Sequence, residues 1–223
     1  MAKKQNTTTK KKSISKTNWI SKYMDYVLEH EKHPKTVYKF TKENKAKEED
    51  FYKHFGSFQA LREEIWHQFH QKSIDLLEKS PETANFGSRE KLLTFYFTFF
   101  EMLSLNRSYV LFVLQEEKDK LKSLAQLKGL RKDIKNFAKT LIQEDNEEKQ
   151  TKILQKNESI FSEATWVQTM FLLKFWMDDS SAEFEKTDVA IEKSVNTVFD
   201  VFDNTPLDRV LDLGKFLYKE RMA

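Results

Sequence analysis

Hydrophobic positions recur at helical spacing along most of this 223-residue chain. A first stripe begins near Asn18 and stops before Pro34, because the residue that precedes a proline avoids helical angles. Two short stripes follow at 36–43 and 47–53, with a tight break between them, and a long stripe begins after Ser57, a residue type suited to capping a helix. The pattern predicts a helix-turn-helix near the N-terminus.

The rest of the chain shows the same periodicity. Apolar and aromatic residues predict helices at 88–105, 106–117 and 158–178, and two amphipathic stripes follow near the C-terminus. Only four Gly and three Pro occur, whereas Lys, Glu, Leu and Phe are abundant, which describes helices linked by short turns. The sequence therefore predicts an all-α fold.

The apolar run at 92–114 has the length of a membrane span but is interrupted by charged residues. Glu101 and Arg107 lie near its middle, and each would cost about 2.5–3.5 kcal/mol there. Asn106 is a residue type that begins helices, so we expect two buried core helices. Residues 1–18 contain no apolar core segment of a secretory signal, and the expected compartment is the cytoplasm, with no membrane partner.

The formal net charge of +3 conceals an uneven distribution. Residues 1–62 carry 15 Lys and Arg against 7 Asp and Glu, whereas residues 63–223 carry 23 against 28. A basic N-terminal part indicates an anionic partner, most often nucleic acid, although a solubilising tail would show the same charge. Residues 1–17 are predicted to form a disordered basic arm, in which Lys10, Lys11 and Lys12 could reach a DNA groove or backbone.

Several classes of chemistry are excluded by composition. The chain has no Cys, hence no thiolate metal site or cysteine nucleophile, and it has no Gly-rich phosphate loop. Glu63, His67 and His70 share one helix face, but no fourth ligand is evident, so we predict no metal and no cofactor. That face is instead expected to be solvated or to line a sensor. Nothing in the sequence indicates an enzyme.

Residues 37–61, with the sequence VYKFTKENKAKEEDFYKHFGSFQAL, resemble the signature of the tetracycline-repressor (TetR) family. The most specific part is the pattern F-Y-x-H-F-x-S-x-x-x-L. The matching positions are Val37, Phe40, Ala46, Phe51, Tyr52, His54, Phe55, Ser57 and Leu61.

The resemblance implies a dimeric transcriptional regulator, a repressor by the family's name. Its helix-turn-helix DNA-binding domain would span 18–62, and a helical ligand-binding and dimerisation domain would span 63–223. By resemblance, Thr36, Tyr52 and His54 would contact phosphates of a palindromic operator, and Lys47, Glu48 and Asp50 would face base edges. Phosphate contacts position such a protein on DNA, and side chains on the recognition helix specify the sequence.

The sequence departs from the family pattern in and beside this predicted recognition helix. Lys45 stands where the family has Gly at the turn, and Glu48, Glu49 and Asp50 stand where it has small polar residues. These acids would repel phosphates, yet a carboxylate can also accept a hydrogen bond from cytosine N4. Two hypotheses follow: a sequence-specific regulator, or a TetR-fold module that binds a ligand or protein and has lost sequence-specific DNA binding.

Two further sets of residues follow from the aromatic and amphipathic stripes. The resemblance implies an apolar pocket for a small lipophilic effector, although the same aromatic residues could form only a packed core. The candidate pocket residues are Phe95, Phe99, Glu101, Met102, Arg107, Phe112, Trp166, Phe171 and Phe175. The C-terminal stripes look like the family's four-helix dimer interface, with half-sites about one DNA turn apart. The candidate interface residues are Val195, Val198, Phe202, Leu207, Leu211, Gly214 and Tyr218.

Overall fold

The computed structural model describes residues 14–115, 125–147 and 157–204, and these residues form helices and no strands, as predicted. The chain divides into two compact units, Met1–Ile65 and Trp66–Ala223. The α-helices are α1 (Lys16–His30), α2 (Val37–Glu43), α3 (Glu48–Tyr52), α4 (Phe58–Lys79), α5 (Ser88–Ser104), α6 (Arg107–Gln115), α7 (Lys128–Glu147), α8 (Glu158–Asp178) and α9 (Glu185–Asn204).

The first unit is organised around aromatic side chains. Helix α1 begins two residues earlier than the apolar stripe suggested, because the Ser15 hydroxyl accepts a hydrogen bond from the Asn18 N–H at 3.2 Å. Trp19 of α1 is fully buried, and its ring lies 5.6 Å from the rings of both Phe40 and Phe51. One buried side chain from each of the three short helices thus forms the core that fixes α2 against α3.

The second unit buries the aromatic face of α5 against α7 and α9, and α8 packs on both of those helices. Tyr96 shows how a polar group is satisfied there, because its hydroxyl lies 2.9 Å from that of Thr169 and donates to the Thr165 carbonyl at 3.1 Å. Burial raises the pKa of Tyr96 far above its usual range, although the Thr169 hydroxyl opposes that rise.

The apolar run at 92–114 is divided between two helices, as predicted. Helices α5 and α6 meet at a bend of 86°, and the Asn106 side chain lies at the break. Its amide donates back to the Met102 carbonyl at 2.9 Å and so satisfies an acceptor at the end of α5. In the described part of the chain, no single helix is long and apolar enough to cross a membrane. Helices α5 and α6 reach that length and hydropathy only when they are counted together, across their bend.

The junction of α6, α8 and α9 is built on two charged side chains. The Arg107 guanidinium donates to the carbonyls of Trp176, Met177 and Asp179 at 3.0–3.2 Å, and it lies 4.4 Å from the Trp176 ring centroid. It therefore satisfies acceptors at the end of α8. The Asp179 carboxylate accepts from the backbone N–H and hydroxyl of Thr187 at 2.9 and 2.7 Å. These contacts tie the start of α9 to the end of α8.

Candidate functional site

The first unit contains a helix-turn-helix formed by α2 and α3. The Thr36 hydroxyl caps α2 by accepting from the Lys39 N–H at 3.2 Å. In the turn, Lys45 adopts a left-handed backbone with φ 53°, and the Ala46 N–H donates to the Thr41 carbonyl at 2.9 Å. A left-handed residue is what a glycine usually supplies, so Lys45 makes the turn that Gly makes in the family pattern.

Three carboxylates occupy the first turn of α3, where the helix dipole favours negative charge. Two of them pair with flanking lysines: Asp50 with Lys53 at 2.9 Å and Glu49 with Lys47 at 3.1 Å. The hydrogen bond from Lys53 holds the pKa of Asp50 below its usual range. The two pairs reduce the negative field at the start of α3.

Exposed side chains of α2 and α3 form a surface with both aromatic and basic groups. Tyr52 has 52% of its surface exposed and Thr36 is also exposed, whereas Phe55 is buried, as expected for a core residue. Tyr38, which the sequence pattern did not single out, is 56% exposed, and the Lys42 ammonium lies 5.7 Å from its ring centroid. Residues 35–54 contain six Lys and four Asp or Glu, so this surface is net basic.

His54 binds the chain segment that precedes α1. Its Nε2 lies 3.1 Å from the carbonyl oxygen of Ile14, which can only accept, so Nε2 donates in this contact. Lys10, Lys11 and Lys12 lie outside the described residues.

The structure distributes the nine predicted pocket residues over different environments. Phe95 and Phe99 are fully buried and stack at 5.6 Å in the core, and Met102, Phe112 and Trp166 are half-buried. The other four predicted pocket residues do not line a common cavity with these five. Glu101 is exposed, Arg107 is bonded to backbone carbonyls, and Phe171 and Phe175 line an open groove.

That groove lies between α8 and α9 and has a volume of about 1030 Å³. Its wall includes Val167, Phe171 and Val189, which are 66%, 53% and 49% exposed. Gln168 is buried beside them; its amide donates to the Ser194 hydroxyl at 3.0 Å, and its side-chain oxygen has no hydrogen-bond partner among the described residues. An exposed apolar strip of this kind is typical of a protein-interaction surface.

The predicted dimer-interface residues are only partly described. Val198 lines the groove, whereas Val195 is fully buried within its own chain. Phe202 is half-buried, and its ring lies 5.0 Å from that of Phe161. The other predicted positions, Leu207, Leu211, Gly214 and Tyr218, lie outside the described residues.

A second, more polar cavity lies between the later part of α4 and α7, with a volume of about 610 Å³. His70 forms part of its wall; it is 7% exposed, and neither ring nitrogen has a hydrogen-bond partner in the described ranges. Burial, together with the nearby charge of His67, lowers the pKa of His70 to about 4, although Asp133 opposes that shift. The imidazole is therefore neutral near pH 7.

A hydrogen-bonded pair and an ion pair flank His70 along this cavity. His67 Nδ1 lies 2.8 Å from Asp133 Oδ2, and the Lys91 ammonium lies 2.6 Å from the Glu144 carboxylate. In the described ranges, no group of three or more His, Asp or Glu side chains is arranged to hold a metal ion. The sequence had singled out His67 and His70 only as a weak metal arrangement or a sensor-lining face.

These features define an all-helical protein with an N-terminal helix-turn-helix and a larger helical unit. The family model described as "Tetracyclin repressor-like, C-terminal domain" matches residues 91–217, more than half of the chain. The chain belongs to the tetracycline repressor-like family, whose members are transcriptional regulators rather than enzymes. Searches of curated proteins and of solved structures found no match.

Proposed function

We propose that this chain is a dimeric, one-component transcriptional regulator that binds operator DNA through α2 and α3 and is controlled by a small effector bound in the second unit. The observation that carries the proposal is the α2–turn–α3 geometry, with Thr36 and Tyr52 exposed on it. It occurs in a chain whose second unit matches the model of a repressor-like family.

Two kinds of DNA contact are proposed: contacts to phosphates, which position the protein, and contacts to base edges, which recognise the sequence. Thr36 lies at the N-terminus of α2, where backbone N–H groups and a hydroxyl suit a phosphate, and the Tyr52 hydroxyl suits a second. His54 is a third phosphate candidate only if Nε2 exchanges its contact with the Ile14 carbonyl for a phosphate, because Nδ1 of a neutral imidazole can then only accept. This contact also places the start of the described chain beside α3 and supports delivery of Lys10, Lys11 and Lys12 to DNA.

Lys47, Glu48 and Asp50 at the start of α3 would contact the base edges. Glu48 has no hydrogen-bond or ion-pair partner among the described residues, so its carboxylate is available to accept from cytosine N4. Asp50 is held by Lys53 and would have to exchange that contact for a base. The six lysines of residues 35–54 would neutralise phosphates, and most of the affinity for DNA comes from such neutralisation.

Dimerisation is assigned to the groove between α8 and α9. A second copy related by a twofold axis would cover Val167, Phe171 and Val189 with the same residues, which is the geometry of an isologous interface. Val198 borders the same groove. A twofold dimer would present two α3 helices to half-sites about one DNA turn, roughly 34–36 Å, apart.

Effector binding is assigned to the His70 cavity, whose volume lies in the range of small-molecule sites. Occupancy would regulate DNA binding if the effector favoured a dimer pose that misfits the operator. A coupling of about 1–3 kcal/mol between the two sites is typical of such regulation.

The decisive experiment is selection of genomic DNA fragments by the purified full-length protein at moderate and at high salt. The expected result is a recurring palindrome that persists as salt rises. Lys47→Ala should weaken binding to that palindrome about 5- to 150-fold, corresponding to one lost base contact of about 1–3 kcal/mol. Lys32→Ala, an exposed lysine of the same unit, is the matched control and should change it little.

A second candidate function is a ligand- or protein-binding module that has lost sequence-specific DNA binding, and the acidic start of α3 favours it. Retention of DNA without a shared motif, lost as salt rises, would support this alternative. Under it, Glu48→Ser, Glu49→Gly and Asp50→Thr together should create strong DNA binding that the native protein lacks. Asp25→Asn, Glu29→Gln and Glu31→Gln together remove the same charge around α1 and serve as the control.

A further inference from the structure

The cavity between α4 and α7 is elongated, because its walls are helix faces that run along it. Its α4 wall extends from His67 to Glu78, which is eleven helical steps or about 16 Å. Between the ends, the apolar side chains of Ile74, Leu77 and Phe137 lie among the polar side chains of Gln71, Asn136 and Thr140. A cavity of this form suits an extended molecule with an apolar middle.

Charge is distributed unevenly along the cavity. Three carboxylates line it, from Glu78, Asp133 and Glu144, against the single ammonium of Lys91. Lys91 is bound to Glu144, and Asp133 is bound to His67. Glu78 has no hydrogen-bond or ion-pair partner in the described part of the chain. The balance opposes an anionic ligand and favours a cation at the Glu78 end.

His70, two helical turns away from Glu78, needs a hydrogen-bonding partner rather than a charge. Its ring is enclosed by Phe95 at 5.3 Å and Phe137 at 6.4 Å between centroids, and neither buried nitrogen has a partner in the described ranges. A neutral imidazole offers one donor and one acceptor. A hydroxyl group can pair with whichever ring nitrogen faces the cavity, because it can donate to the acceptor nitrogen or accept from the donor nitrogen.

We propose that the His70 cavity binds an extended organic amine, with its protonated nitrogen at Glu78 and a hydroxyl-bearing aromatic or alkyl end at His70. This class deepens the proposed function, since it names the chemistry of the effector. The binding itself does not require that the protein recognise DNA.

The test uses four small probes that share a phenylethyl body. Tyramine carries both the hydroxyl and the amine, phenethylamine lacks the hydroxyl, and tyrosol and hydroxyphenylpropionate replace the amine by a neutral and an anionic group. Calorimetry on the full-length dimer, with NMR of the His70 ring, should rank tyramine first. Hydroxyphenylpropionate should bind at least about ten-fold more weakly, a difference of about 1.4 kcal/mol.

Two variants locate the interaction. Glu78→Gln should remove most of the preference for tyramine over tyrosol. Glu82 is exposed like Glu78 but lies outside the cavity lining, so Glu82→Gln should leave the preference unchanged. His70→Phe should remove the preference for tyramine over phenethylamine, and thermal unfolding of this variant verifies that it is folded.

The proposal is overturned if hydroxyphenylpropionate binds as tightly as tyramine. It is also overturned if no probe binds at millimolar concentration, or if Glu78→Gln and Glu82→Gln have equal effects. Failure of the proposed function is distinguishable, because it would leave the ranking of the probes intact while the genomic selection yields no palindrome.

Discussion

The groove between α8 and α9 and the cavity between α4 and α7 are two depressions of the same helical unit with opposite character. The groove is larger, about 1030 Å³ against 610 Å³, and its wall includes apolar side chains that are half or more exposed. The cavity contains a buried histidine, the His67–Asp133 hydrogen bond and the Lys91–Glu144 ion pair. An open apolar strip suits a second protein surface, and a narrower polar cavity suits a small ligand.

The largest expected effect concerns the groove. Phe171→Asp would place a charge in the centre of the proposed dimer interface, where it would be desolvated without a partner. We expect dimer dissociation to become easier by about 3 kcal/mol or more, which is over 100-fold in the dissociation constant. Light scattering and sedimentation over a concentration series would measure it.

Leu105→Asp is the matched control for this substitution. Leu105 is 73% exposed between α5 and α6 and does not line the groove, so its charge should leave the dimer intact. Equal dissociation constants for native protein and the Phe171→Asp variant would remove the groove from the interface. A native protein that is monomeric at micromolar concentration would exclude the dimer itself.

The second expected effect concerns the cavity, where the buried His70 should make the free energy of unfolding depend on pH. The folded pKa of His70, about 4, lies below the ordinary value of 6.5, so the unfolded chain binds a proton first as pH falls. The free energy of unfolding should therefore fall between about pH 6.5 and pH 4, by about 2 kcal/mol from pH 7 to pH 5 for this group alone. His70→Phe should lose less stability over the same interval.

Denaturant unfolding at several pH values, with NMR titration of the His70 ring, checks this prediction. His33 in the first unit provides an internal comparison, because burial together with the nearby charge of Arg62 also lowers its pKa to about 4. A His70 ring that titrates near pH 6.5 in the folded protein would contradict the description of His70 as a buried, neutral imidazole.

The smallest expected effect concerns the junction between the end of α8 and the start of α9. Burial would raise the pKa of Asp179, but hydrogen bonds from the side chains and backbone N–H groups of Ser181 and Thr187 lower it to about 2. Thr187→Val removes one of these donors and should cost about 1–2 kcal/mol of stability. Because the carboxylate must be ionised, this contribution is present above about pH 4 and is lost as pH falls towards 2.

Thermal unfolding of the native protein and the Thr187→Val variant at pH 7 and pH 3 measures this effect. The difference between them should be smaller at the lower pH. Thr98→Val is a matched control, because Thr98 is a half-buried threonine of α5, outside the groove and the cavity, whose hydroxyl donates to the Thr94 carbonyl. A cost for Thr187→Val no greater than for Thr98→Val would show that the Asp179 contacts contribute little.

Local patterns predicted most of the helices, because helix bounds depend on nearby residues, but helix α7 was not singled out. The α2 and α3 stripes, the Ser57 cap on Ala60 and the division of the 92–114 run all follow from spacing and capping chemistry. The start of α1 was placed two residues late, since the capping Ser15 precedes the first apolar residue.

The depressions could not be predicted in the same way, because an apolar stripe does not reveal what covers it. Phe95 and Phe171 have the same chemistry and similar helical context, yet the first is fully buried and the second is 53% exposed. Arg107 was expected as a polar handle in a pocket, and it instead binds three carbonyls some 70 residues later in sequence. Such contacts depend on tertiary packing, which spacing along the chain does not encode.

The turn between α2 and α3 has a consequence for how such proteins are detected. Lys45 holds a left-handed conformation that costs an L-residue about 1–2 kcal/mol, and the Ala46–Thr41 hydrogen bond closes the turn nonetheless. A motif search that demands glycine at this position would discard this chain, although its backbone makes a left-handed turn there without one. The rings of Phe40 and Phe51, which lie 6.3 Å apart, hold the two helices together, so the packing of this helix-turn-helix does not depend on a glycine in its turn.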